Sequence, residues 1–224
     1  MNDSKINNIQ IILGTAHLDT TPGKCSPDEK FRECVYSREI VAQIYNELKS
    51  QGYNVVIDYP ELCPNAQIKA ATAKLEQSRE LRWRSNFVNN VCARHGTKNC
   101  IYVSIHVNAA GGDGKWHDAR GWSVYTSKGK TRSDELATML YNQAKKLLPH
   151  DSKHYVRSDW SDGDPDYEAS FYVLSKTACP AVLTENLFQD NKQDVAFLTS
   201  AVGRNTIVKI HVNAIKEYVA KYDK

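Results

Sequence analysis

Long apolar runs are missing from this chain. The run IILG (11–14) stops after a few residues and passes into a polar loop, and no segment approaches the roughly 20 apolar residues that a bilayer-spanning helix requires. The opening MNDSKINNIQIILGTAH also lacks a basic stretch followed by a long apolar one. The expectation is therefore a soluble chain whose export, if it has one, uses a route not written in these residues. Six cysteines occur without a CxxC pair, too sparse in 224 residues for a disulfide scaffold, so reduced thiols are expected. Neither sign of charge dominates, with 29 basic against 26 acidic residues and a net charge of +3. The short basic run RELRWR (79–84) reads as a solvated helix face, and nothing indicates a nucleic-acid partner. No internal repeat and no low-complexity linker interrupt the chain.

What is present is enough apolar content, 41% of the residues, to close a sizeable core, most simply as one domain over 1–224. Apolar runs bounded by glycine, proline and polar loops predict strands at 9–16, 53–58, 101–108, 121–127 and 180–186, with a further short one at SFYVLSK (170–176). Helical spacing predicts helices over 35–51, 68–96 and 133–148 and in the tail from about Asp190. Strands alternating with helices of this length give an α/β fold: a mostly parallel twisted sheet of about six strands flanked by helices. The residues after Asn186 read as helix and leave no room for an appended repeat-type binding module.

The stretch IYVSIHVN (101–108) places Ile101, Val103, Ile105 and Val107 on one face and Tyr102, Ser104, His106 and Asn108 on the other. A lone histidine in such a run is by default a hydrogen-bonded core imidazole. That default weakens because two other strands end in unusual residues, His17 just past IILGTA and Glu185 within AVLTEN, and chemistry in open α/β sheets collects beyond the carboxyl ends of the strands. Two imidazoles and a carboxylate suit catalytic zinc, which takes three protein ligands. Glu33, at the start of the helix after the His17 loop, is the best third ligand, with Glu29 and Glu39 as rivals that spacing alone does not eliminate. For Glu185 a helix-capping role and a chemical role weigh about equally on the residue itself.

The order GTAH after a first strand, Glu33 before a long helix ending QGYNVV, R-x-x-x-V-N from Arg84 to Asn89, VSIHVNA, GWSVYT and PAVLTENLFQDN resembles the zinc-dependent N-acetylmuramoyl-L-alanine amidases of the Amidase_3 type, from about residue 9 to 222. SIHVNA beside the family's usual SIHANA is the most specific piece. The resemblance implies one zinc per chain on His17, Glu33 and His106, and Glu185 as general base. The implied reaction is hydrolysis, in peptidoglycan, of the amide between the lactyl group of N-acetylmuramic acid and L-alanine. It also implies action at the cell wall, periplasmic or extracellular, as a phage-type lysin or a host remodelling enzyme. Asn108 and His117 become possible substrate contacts, Arg84 and Asn89 packing and hydrogen-bonding support. His95, His150, His154 and His211 have no partner pattern, and Trp116 and Trp122 read as cover for the sheet edge.

Two rival functions compete with this one. A zinc carboxypeptidase also uses two histidines and a glutamate, but its first histidine and glutamate should be separated by only two residues. A non-catalytic muropeptide-binding module would have no reason to retain Glu185. The chain departs from the family pattern where His17 is followed by Leu18 and Asp19 rather than glycines, where Leu187 replaces the glycine two places after Glu185, and in the acidic insert 157–170. These touch specificity more than metal binding. Nothing in the sequence indicates an oligomeric state.

Overall fold

The computed structural model describes residues 8–149 and 155–223, so His150 and His154 lie outside the described residues. Six strands form one sheet in the order β2-β1-β3-β6-β4-β5: β1 (Gln10–Thr15), β2 (Asn54–Ile57), β3 (Cys100–Asn108), β4 (Ser123–Thr126), β5 (Tyr167–Glu168) and β6 (Ala181–Phe188). All neighbouring pairs are parallel except β4 with β6, which bears out the mostly parallel α/β expectation. The helices are α1 (Glu33–Ser50), α2 (Ala73–His95), α3 (Arg132–Leu147), α4 (Tyr172–Ser175), α5 (Lys192–Thr199) and α6 (Ala201–Tyr222). No helix among the described residues is long and apolar enough to cross a membrane.

The alternation along β3 sorts the two layers. Ile101, Val103, Ile105 and Val107 enter a large core with residues of α1, α3 and α6. Tyr102 enters a smaller one with Val88 and Cys92 of α2 and Val173 and Leu174 of α4. Local caps mark two of these helix ends: Gly52 at φ 85° follows α1, and the Thr72 side chain accepts from Leu75 N at the head of α2. That cap explains why α2 begins at Ala73 rather than at 68.

Three expectations are corrected. SFYVLSK forms the helical turn α4 instead of a strand, because the consecutive Val173 and Leu174 are both buried, at 4% and 3% exposure, and a strand would point them to opposite faces. RELRWR is not wholly solvated: Glu80 and Arg84 are buried on the sheet side of α2. Trp122 covers no edge; it is fully buried, and its Nε1 donates to Asn186 Oδ1 at 2.8 Å. All six cysteines are unpaired, as expected.

His211, on α6, is a satisfied core histidine. Its Nδ1 lies 2.8 Å from the Ile207 carbonyl, which can only accept, so Nδ1 carries the proton and Nε2 accepts from the Thr184 hydroxyl at 2.9 Å. Burial depresses this imidazole to about 4, against the smaller opposing pull of the Ile207 carbonyl. The folded state therefore binds fewer protons than the unfolded state between the two pKa values, so stability is complete above about pH 6.5 and is lost as pH falls towards 4. The expected loss is up to about 3 kcal/mol, read from urea midpoints between pH 7 and 4. A His211→Gln protein should show a shallower pH slope in the same titration.

Candidate metal centre

Three elements deliver one donor each. His17 sits one residue beyond Ala16 at the end of β1, with its backbone in the left-handed region at φ 47°, a conformation that costs a non-glycine residue about 1–3 kcal/mol and persists only when neighbours enforce it. Arg38 of α1 enforces it: Nη1 donates to the Ala16 carbonyl at 3.0 Å and Nη2 to the His17 carbonyl at 2.9 Å. Ser37, next to it, accepts from Ala16 N at 2.8 Å and donates to the Ile105 carbonyl at 2.6 Å. The second turn of α1 thus ties the ends of β1 and β3 together.

Glu33 opens α1 one turn earlier, where a carboxylate also complements the helix dipole. It is 1% exposed. Its Oε1 accepts from Val107 N at 3.1 Å and lies 3.1 Å from His106 Nδ1. Its Oε2 lies 3.5 Å from His17 Nε2 and 3.9 Å from Lys24 Nζ and has no hydrogen-bond partner. His106 Nε2 rests 3.1 Å from Ser104 Oγ. The two imidazoles meet edge to face with centroids 5.0 Å apart. One ligand atom from each of His17, Glu33 and His106 lies within 4.8 Å of the others. Glu29 and Glu39 are not in this group; Glu39 pairs with Arg204 instead.

The electrostatics favour the ligand forms of Glu33 and His106. Burial pushes Glu33 up, but the His17 charge and the hydrogen bond with His106 prevail and hold it well below the usual carboxylate range. Burial lowers His106 despite the attraction of Glu33. An ionised carboxylate and a neutral imidazole are what a metal requires. The unpartnered, buried Oε2 of Glu33 and the His₂Glu donor set both fit zinc.

Glu185 stands directly across from His106 in the parallel register of β3 and β6. Burial, and then the Glu33 charge, raise its carboxyl well above the ordinary range against the pull of Lys24. Its Oε2 has no hydrogen-bond partner. Just beyond the pair, the register slips between His106 and Asn108, a bulge of the kind that re-aims side chains beside active sites. Leu187 lies in this bulge at φ 66°.

A cavity of about 260 Å³ opens beside the cluster, lined by His17, Lys24, Glu80, His106, Tyr172 and Glu185 among others. Of these, Lys24, Glu80 and Tyr172 carried no signal that singled them out in the sequence, beyond the i,i+4 pairing of Glu80 with Arg84. The other two expected substrate contacts are placed differently. Asn108 Oδ1 accepts from Ala109 N at 2.8 Å, capping its own turn. His117 Nε2 contacts Asp113 at 2.9 Å and lines a shallow cleft with Trp116 and Arg120, apart from the cavity that holds His17 and His106.

A buried ionic layer supports the site from the α2 side. Arg84 Nη1 reaches Asp58 Oδ1 at 2.7 Å and Thr15 Oγ1 at 3.0 Å, while Nη2 and Nε reach Glu80 Oε1 at 2.8 and 3.0 Å. Tyr102 donates to Asp58 Oδ2 at 2.7 Å. Asn89 bonds the backbone of Lys176 and Ala178, tying α2 to the segment after α4. Both residues therefore give the support expected of them.

A family model described as N-acetylmuramoyl-L-alanine amidase, Amidase_3, matches residues 11–217. The chain is 31% identical over 124 residues to an endolysin of Bacillus phage SPP1, covering 55% of this chain and 41% of that protein. It is 29% identical over 140 residues to the N-acetylmuramoyl-L-alanine amidase CwlM of Bacillus licheniformis, covering 62% and 46%. The matches thus span less than half the length of these curated relatives. The fold superposes on the CwlD amidase of Clostridioides difficile, solved in complex with the GerS lipoprotein, with a TM-score of 0.74 at 20% identity over 95% of this chain and 99% of that one. A second solved structure, the catalytic domain of CwlV from Bacillus (Paenibacillus) polymyxa var. colistinus, gives 0.67 at 18% identity over 95% and 98%.

Replacing Asp58 with Asn leaves Arg84 buried without one of its two counter-ions. The expected cost is about 3–5 kcal/mol, read as a lower urea midpoint. A loss below about 1 kcal/mol would show that the ionic layer is not a structural support of the site.

Proposed function

Because the chain belongs to the Amidase_3 family of N-acetylmuramoyl-L-alanine amidases, we propose that it hydrolyses peptidoglycan at the amide joining the lactyl group of N-acetylmuramic acid to L-alanine. The observation that carries this reading is the convergence of His17, Glu33 and His106 within 4.8 Å, with Glu185 opposite His106. The three residues would hold one zinc ion. When bound, zinc supplies Lewis acidity, which polarises the amide carbonyl and makes water a nucleophile near neutral pH.

The chain's own groups do the rest. Glu185 takes a proton from the attacking water as the carbon–oxygen bond forms, then delivers it to the alanine nitrogen as the carbon–nitrogen bond breaks. Its place on β6 suits this role, because a separate strand holds it beside the ligand cluster without making it a member. Val107 N and Ser104 fix Glu33 and His106 from β3, leaving both little freedom to turn. Asn186 reinforces this from the other layer, donating from Nδ2 to the His106 carbonyl at 2.9 Å. The site of action is the cell wall, and residues 1–224 act as one catalytic unit.

Digestion of purified peptidoglycan by the zinc-loaded protein should release new amino-terminal alanine. Glu185→Ala should keep its zinc, measured by elemental analysis, and lose activity by about a hundred- to ten-thousandfold. His106→Ala should lose the metal as well. New carboxyl termini without new amino-terminal alanine would identify a carboxypeptidase, and binding of muropeptides without any amine release would identify a binding module.

A further inference from the structure

A second cavity, of about 190 Å³, lies beyond the same strand ends. Lys24 lines the first cavity and Cys25 the second, so this short segment divides them. Its walls come from the loops after β1, β3 and β6, the strands that carry His17, His106 and Glu185.

Two side chains in this lining hold acceptor oxygens that the fold leaves unused. Gln189 is 1% exposed and Asp190 5%, and neither Gln189 Oε1 nor Asp190 Oδ1 has a hydrogen-bond partner among the described residues. Their other atoms are engaged: Gln189 Nε2 donates to the Gly23 carbonyl at 3.3 Å, and Asp190 Oδ2 accepts from Ala110 N at 2.7 Å and Gly111 N at 3.0 Å. Buried acceptors normally find donors. Glu29 adds a second carboxylate to the lining, against the one cation of Lys115. The site therefore suits a ligand group that brings hydrogen-bond donors and positive charge.

The first cavity has a different character, with Leu81, Phe171, Tyr172 and Leu183 in its walls, apolar and aromatic surface that suits the face of a sugar ring. Resting on the amidase reading, we propose that the second cavity receives the primary ammonium of a diamino side chain in the stem peptide, while the muramoyl end lies in the first. Reach supports this. From His106 in one cavity to Ala109 in the other, the chain advances three residues, about 10 Å at strand rise, and an extended peptide covers that distance in about three residues. A side chain on the third stem residue arrives at Gln189 and Asp190, and a stem whose amine is already acylated becomes the poorer substrate.

The test compares MurNAc-L-Ala-γ-D-Glu-L-Lys with its Nε-acetyl derivative, by hydrolysis with the zinc-loaded protein and by calorimetric binding to its Glu185→Gln variant. The free amine is expected to give a KM about tenfold lower and a correspondingly tighter Kd. Gly112→Leu adds bulk to the cavity lining at a position where a Cβ meets nothing within 4 Å, and should raise KM for the free amine and erase the preference while kcat holds. Gln189→Leu should erase it too. Equal KM and equal binding of the two compounds by the unmodified site, or undiminished discrimination by Gly112→Leu, overturns the proposal. If neither compound is cleaved but the free amine still binds in preference, the amidase reading fails and the cavity assignment stands.

Discussion

The buried carboxylate of Glu33 is the contact on which the rest of the site depends. It lies between two imidazoles, one on β3 and one in the loop after β1, and also accepts from the β3 backbone at Val107. A carboxylate in this position is costly to desolvate, and only the accumulated donors around it make it tolerable. Removing any one of them would leave the charge less fully compensated. The geometry of α1 follows from this demand: the helix starts at Glu33, and its next turn sends Ser37 and Arg38 back to pin the ends of β1 and β3.

The polar layers on either side of the sheet share this logic. On the α2 side, Arg84 ties Asp58 of the β2 end to Glu80 and Thr15. On the α6 side, a relay runs from Trp122 through Asn186 and Thr184 to His211, and Asn186 also holds the His106 carbonyl. The strand that carries His106 is therefore fixed by hydrogen bonds from both faces. Rigid support of this kind lets a metal ligand keep one orientation.

Leu187 shows how a departure from the family pattern is accommodated. Its φ of 66° is a conformation that glycine adopts freely and leucine does not. Leu187 is fully buried in the larger core, and burying a leucine contributes about 1.5–3 kcal/mol, comparable to the backbone cost of about 1–3 kcal/mol. Packing thus offsets strain at the bulge beside Glu185.

Much of this was legible in the chain itself. Period-two alternation in IYVSIHVN separated the two layers of the fold, because a strand has no choice about where successive side chains point. Histidines and an acid at three strand ends marked the site, because parallel strands bring their carboxyl ends to one rim. What the sequence could not decide was anything that depends on distance between remote residues. Spacing favoured Glu33 but left Glu29 and Glu39 as rivals that only the family resemblance set aside, and it is the start of α1 at Glu33 that brings this carboxylate to the imidazoles. The burial of Glu80 and Arg84 inside an outwardly polar helix, the turn of α4 and the unused acceptors of Gln189 and Asp190 all arise from packing between segments far apart in the chain. Hydrophobic pattern constrains faces; tertiary contacts alone determine which polar groups meet across them.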